Sequence, residues 1–161
     1  MGVKTSANDY ILLVDCDTIP SETIFDGHEL ALSMGDHILS AGGRTHYDPD
    51  TLQFLKNDER GELTGRYFRK LRWFKCYGCN MAFSKKLWEM IDGFDEKFNE
   101  AWGFDDIDFS FRAEKVGSQV WSHHFSSCIH LHHESNIDKL TNLDKFIIKH
   151  MLSSEGLKDI K

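Results

Sequence analysis

The sequence predicts an α/β domain. Three observations carry that expectation: short apolar runs that stop abruptly, helix-patterned segments closed by glycine, and the alternation of the two along the chain. With 161 residues, the chain is long enough to bury a core and short enough to be one domain, read here as residues 1–161. An apolar fraction of 40% beside 28% charged residues excludes a disordered or fibrous composition.

The elements follow in order. Residues 10–14, Tyr-Ile-Leu-Leu-Val, form an apolar run ending in Asp15-Cys16-Asp17, and are predicted as a buried strand, central and parallel. Residues 21–34 have a helical pattern stopped by Gly35, and residues 37–41 form a second strand closed by Gly42-Gly43. Residues 44–65 are polar, with turn signals at Asp48-Pro49-Asp50 and Arg60-Gly61, and are expected as a surface excursion. Residues 67–74 mix aromatics with Arg69, Lys70 and Arg72, and residues 76–83 are predicted as a strand. Ser84 should then cap a helix that ends at Asp92-Gly93. Residues 105–116 are a predicted helix with Phe109, Arg112 and Val116 on one face, and residues 119–133 are partly extended. A terminal helix is expected over residues 140–157, with Leu140, Leu143, Ile147 and Met151 at helical spacing.

Charge and composition narrow the function classes. A formal net charge of -7 argues against duplex nucleic acid as a partner, because phosphate contacts need a basic face. No run approaches the roughly 20 apolar residues that span a bilayer, and residues 1–9 lack a signal-peptide pattern. Four cysteines imply free thiols in a reducing compartment, hence a cytoplasmic location, at most peripheral to a membrane. Cys76-Tyr77-Gly78-Cys79 is open to redox chemistry or to half a zinc site, with Cys128 and its neighbouring histidines as the other half.

Three constellations carry chemistry. Asp15 and Asp17 follow a strand at spacing i, i+2, which puts two carboxylates on one face where a hard cation and a diphosphate can meet; the plainer alternative is a pair of turn residues. Trp102-Gly103-Phe104-Asp105-Asp106-Ile107-Asp108 sets three acids at a helix start, where one can cap and another can act as a general base. Trp102 beside a glycine suits a sugar platform or lid. Five of the nine histidines lie between residues 123 and 133. In an extended Cys128-Ile129-His130-Leu131-His132-His133-Glu134, His130 and His132 would face one way and His133 the other.

Together these pieces resemble the GT-A glycosyltransferases. Tyr-Ile-Leu-Leu-Val-Asp-Cys-Asp followed by Thr18-Ile19-Pro20 is similar to their D-x-D strand end. Gly78-Cys79-Asn80-Met81-Ala82-Phe83-Ser84, then Gly93-Phe94-Asp95-Glu96, then the Trp102–Asp108 string with Arg112, resembles the C-terminal part of galactosyltransferases and bacterial chondroitin-polymerase-like enzymes. The likeness covers about residues 8–136, leaving 137–161 for a C-terminal helix. It implies a partial GT-A (nucleotide-diphospho-sugar transferase) fold, a mixed sheet flanked by helices.

The resemblance also implies roles. Asp15 and Asp17 match the metal-binding pair, with Asp17 the direct ligand, and His130 matches the histidine that completes a Mn²⁺ or Mg²⁺ site, His132 and His133 standing in reserve. Asp106 matches the general base. Asp105 stands where the family usually has Glu, beside the acceptor. Asp15, Asp17, Gly78, Asn80 and Trp102 would contact the nucleotide-sugar donor, Trp102 lying near the acceptor as well, and Cys79 replaces a second glycine. The implied reaction is metal-dependent, inverting transfer from a nucleotide-sugar, UDP-sugar first, to a carbohydrate or glycoconjugate hydroxyl. Family members carry a nucleotide-binding segment before the D-x-D, which here arrives at residue 15. The competing expectation is therefore a shortened, non-catalytic sugar- or metal-binding module. Without earlier strands, residues 10–14 would expose an apolar edge, favouring self-association unless the C-terminal helix covers it.

Overall fold

A computed structural model describes residues 2–58, 67–133 and 140–150. It shows two mixed sheets flanked by helices. The first sheet contains β1 (Tyr10–Val14), β7 (Asn80–Ser84), β3 (Ile38–Ala41), β8 (Gln119–His123) and β6 (Phe68–Leu71), in that spatial order. The second contains β2 (Thr18–Pro20), β9 (Ser127–Leu131), β4 (Gly43–Tyr47) and β5 (Phe54–Asn57). β3 and β8 run parallel in the first sheet, and their continuations β4 and β9 run parallel in the second. Three connections, β1–β2, β3–β4 and β8–β9, thus lead from the first sheet into the second.

The passage is held by one buried amide. Asn80 is fully buried, and its Nδ2 donates to the carbonyls of Gly43 at 3.3 Å and Ser126 at 3.1 Å, the two points where strands leave the first sheet. Its Oδ1 lies 2.8 Å from His28 Nε2, and His28 Nδ1 lies 2.8 Å from Ser40 Oγ. Since Oδ1 only accepts, Nε2–H must donate, so Nδ1 accepts from the serine hydroxyl and the neutral tautomer is set. The strands can close on this amide because residue 42 is glycine: a Cβ there would collide with Asn80 Nδ2 and the Ser126 carbonyl.

The helices pack on this frame. α2 (Ile24–Leu32) buries Ile24, Ala31 and Leu32. α3 (Lys85–Met90) is capped by Ser84, whose Oγ accepts from Leu87 N at 3.0 Å, as the sequence predicts. α4 (Asp105–Lys115) buries Phe109 against Phe83 and Phe94. α5 (Leu140–His150) packs Phe146 among Phe74, Phe98, Ile107 and Phe111. A short helix, α1 (Gly2–Thr5), places Val3 against the core beside Ile11. Among the described residues no helix is long and apolar enough to cross a membrane.

Several expectations change. The strand at residues 10–14 is neither central nor parallel: it forms the edge of its sheet, antiparallel to β7. The polar stretch 44–58 is not a bare excursion but carries β4 and β5; its polar side chains face the cleft and solvent while its backbone pairs with β9. The strand expected over 76–83 begins only at Asn80, because Cys76 N donates back to Trp73 O and Asn80 N to Tyr77 O, turning the segment before it. Val116 does not join a buried face of α4 and is exposed. The buried side of α5 is Asn142 and Phe146, while Leu140 is exposed, and the helix packs on α4 and the Glu96–Glu100 turn rather than over β1. The Arg60-Gly61 turn, Glu134 and the helical turn expected over 151–157 lie outside the described residues.

A stability test follows from His28. Burial pushes its imidazole down to about 4, with the Asn80 hydrogen bond opposing. Unfolded histidine binds a proton near 6.5, so stability is complete above that pH and falls as pH drops through the window from 6.5 to about 4. Urea unfolding should lose about 2 kcal/mol from this group between pH 7.5 and 5. His28→Gln, which can keep both hydrogen bonds but cannot titrate, should lose that share of the acid slope.

Candidate active site and metal centre

Beside the junction of the two sheets opens a cleft of about 920 Å³. Its walls come from Asp15, from Arg44, His46 and Lys56 of β4 and β5, from Gly78, and from Trp102 to Ile107 at the start of α4.

Asp15 and Asp17 sit in the turn between β1 and β2, not on a strand. Asp15 N donates to Cys79 O at 3.2 Å, extending the β1–β7 ladder, and Asp15 O accepts from Thr18 Oγ1 at 2.6 Å. Asp17 is set by the other sheet, where Leu131 N donates to Asp17 O at 3.2 Å. The two carboxylates therefore take different places. Asp15 lines the cleft, and partial burial followed by the Asp17 charge raises its carboxyl above the ordinary value. Asp17 Oδ2 meets His130 Nε2 at 3.1 Å and His133 Nε2 at 2.8 Å. Burial pushes Asp17 up, but the His133 hydrogen bond and the His130 charge outweigh it and hold the carboxyl below its usual range.

One ligand atom each from Asp17, His130 and His133 lies within 4.8 Å of the others. The set fits a divalent cation on two further grounds. Asp17 Oδ1 is buried without a hydrogen-bond partner, so an electron pair remains to be used at the cluster. Burial, and then the Arg44 charge, lowers His130, which keeps its imidazole neutral and able to ligate. His130 also touches His46 ring to ring, 4.9 Å between centroids, and so joins the cluster to the cleft wall. Burial and then Arg44 push His46 down to about 4.

Asp106 is held from two sides. Its Oδ2 accepts from Gly78 N at 2.8 Å and its Oδ1 from Ile107 N at 2.7 Å. Asp105 is exposed at the cleft, and Trp102 is 52% exposed, enough ring to meet a ligand. The third acid has a different task. Asp108 is fully buried, with Oδ2 2.7 Å from Arg112 Nε and Oδ1 2.7 Å from Lys149 Nζ and 2.8 Å from His150 Nε2. It anchors α5 and takes no part in the cleft.

Most of the predicted residues converge here, with two corrections. Asn80 does not reach the cleft; its amide is spent on the sheet junction. His133, not His132, joins His130 at Asp17. β9 ends at Leu131, so strict alternation stops there, while His132 N donates to Tyr47 O at 2.8 Å and keeps its ring near His46. Arg44, His46 and Lys56 carry no signal in the sequence beyond a polar, turn-rich stretch, in which Thr45 and Tyr47 are the residues that favour a strand. No disulfide joins the cysteines, Cys76, Cys79 and Cys128 are buried, and none of the four belongs to the ligand cluster.

The fold that carries this cleft is shared with known proteins. The family described as the N-terminal domain of galactosyltransferase matches residues 64–134. The chain is similar to chondroitin synthase of Pasteurella multocida (strain Pm70), 24% identical over 70% of this chain, and to hyaluronan synthase of Pasteurella multocida, 26% identical over 73%. It spans 15% of the length of each of these relatives. A solved structure of GalNAc-T7 with UDP, GalNAc and Mn²⁺ superposes with a TM-score of 0.72 at 11% identity, covering 91% of this chain and 33% of that one. The two mixed sheets and flanking helices are thus a GT-A fold.

Metal titration separates the histidines. Asp17→Asn and His133→Ala should each weaken Mn²⁺ binding by about tenfold or more, followed by calorimetry, whereas His132→Ala should leave it unchanged. Equal losses from His132 and His133 would place the cluster wrongly.

Proposed function

We propose that this partial GT-A glycosyltransferase domain transfers a sugar from a UDP-sugar to a hydroxyl of a carbohydrate or glycoconjugate acceptor. The observation that carries the proposal is the division of labour around one cleft: a cation-fitting cluster at Asp17, His130 and His133 on one side, and a carboxylate fixed by two backbone N–H groups, Asp106, on the other. The names of the similar proteins, two polysaccharide synthases and a structure containing UDP and GalNAc, support the substrate classes.

Two imidazoles and one carboxylate suit Mn²⁺ better than Mg²⁺, which favours oxygen ligands. When bound, the metal supplies positive charge opposite a diphosphate leaving group. Arg44 and Lys56 add positive charge to the same wall. Trp102 offers an aromatic face for the acceptor sugar. Asp106 takes the proton as the acceptor O–H bond breaks, its oxygen bonds to the anomeric carbon, and the bond from that carbon to the diphosphate oxygen breaks. Attack opposite the leaving group inverts the anomeric configuration. The backbone donors on Asp106 keep its carboxylate from swinging to Asp105 or to solvent.

Calorimetry with Mn²⁺ and a panel of UDP-sugars, followed by transfer assays and NMR of the product anomer, tests the proposal. Metal binding without UDP binding would make the chain a non-catalytic module instead. Within an active preparation, Asp106→Asn should lower transfer by about 10²–10⁴ and leave UDP affinity intact. Near-normal turnover would remove Asp106 as the base.

A further inference from the structure

The segment carrying Trp102 has an unusual backbone. Gly103 has φ +81° and the next residue, Phe104, has φ +70°, a left-handed conformation that side chains other than glycine adopt at a cost of about 1–3 kcal/mol. Such a loop persists only where its surroundings impose it. The imposing group lies on α5. Asn142 is fully buried, and its Nδ2, with two N–H donors, lies within hydrogen-bond distance of three carbonyls of this one segment, so that one donor is shared: Phe98 at 2.9 Å, Ala101 at 2.8 Å and Gly103 at 2.7 Å. Two of the three flank Trp102. Around this clamp, Lys145 Nζ reaches Lys97 O at 3.1 Å and Glu100 Oε2 at 2.7 Å, and Phe146 packs on Phe104 with 5.8 Å between ring centroids. α5 is in turn tied to α4 through Lys149 and His150 on Asp108. A chain of contacts therefore runs from α4 through α5 and back to the loop that enters α4 at Asp105.

We propose that Asn142 is a positioning residue for the acceptor sugar: by holding the carbonyls on either side of Trp102, it sets the indole against the cleft in the transfer reaction proposed above. The clamp bears on the Trp102 segment and not on the cation cluster, because Asp17, His130 and His133 are placed by β2 and β9 and the turn residues beside them, while the Asn142 amide goes to Phe98, Ala101 and Gly103. Its removal should thus act on acceptor and not on donor, a split that general loss of stability does not produce. Asn142→Asp is the informative change. It keeps the shape but turns the donor toward three carbonyls into an acceptor.

The full chain labelled with 5-fluorotryptophan gives one fluorine line for each of its four tryptophans, and Trp102→Phe identifies that of Trp102. In Asn142→Asp the Trp102 line should shift or broaden while those of Trp88 and Trp121 hold. The acceptor KM should rise about tenfold, with donor KM and Mn²⁺ affinity within about twofold. An unmoved Trp102 line, or a moved line with unchanged acceptor KM, overturns the proposal. Where Asn142→Asp fails to fold, Gly103→Ala serves: its Cβ meets nothing, but an L side chain strains at that φ. It should show the same acceptor-selective loss, and equal losses for donor and acceptor would count against the clamp. A wild-type chain that transfers nothing from any donor would defeat the glycosyltransferase proposal, while the fluorine spectrum still decides whether Asn142 sets Trp102.

Discussion

The two sheets are joined at the buried side-chain amide of Asn80. Two parallel strands leave one sheet for the other at neighbouring points, and each crossing frees a carbonyl from its ladder. Burying those carbonyls unpaired would cost about 1–3 kcal/mol apiece. One amide nitrogen meets both, and the amide oxygen accepts a hydrogen bond from His28 Nε2–H. Only asparagine or glutamine offers two donors and an acceptor in so small a group. The contacting glycine, Gly42, follows from the same constraint, as does the neutrality of His28.

The site depends on that junction. β1 and β2 belong to different sheets, so the turn between them must bridge the seam. That geometry separates Asp15 from Asp17 and delivers Asp17 to β9, where Thr18 pairs with His130. β4 carries His46 into register with His130. The ligand cluster and the cleft wall therefore come from strands that meet only after the crossing. A rigid scaffold of paired strands presents them, as precise sites require.

The acid-rich start of α4 divides three neighbouring carboxylates among three environments. Asp105 faces solvent at the cleft, Asp106 is held by backbone donors, and Asp108 is sunk among Arg112, Lys149 and His150. Helical spacing turns Asp106 about 200° away from Asp108. Asp105 and Asp108 lie on the same side, and what separates them is depth, Asp105 standing at the exposed helix start and Asp108 one turn further in, beneath Lys149 and His150 of α5. Buried alone, Asp108 would be strongly destabilising; with its cations it joins α5 to the domain. Arg112 completes the arrangement by donating to the carbonyls of Ile91 and Gly93, fixing the turn that ends α3.

By itself the sequence determined the α/β class, most element positions, the cap at Ser84, and the ordered string of acidic and aromatic motifs that marks a GT-A fold. These are local properties: periodicity, turn residues and short spacings are set within a few residues of chain. Asp17, His130, Asp106 and Trp102 were legible for that reason. Tertiary structure alone decided that the seam between two sheets consumes Asn80, that β1 is an edge strand, that His133 rather than His132 reaches Asp17, and that Arg44, His46 and Lys56 line the cleft. Each of these depends on which strands become neighbours. Pairing is settled between residues up to about a hundred positions apart, by hydrogen bonds and burial that no local pattern contains.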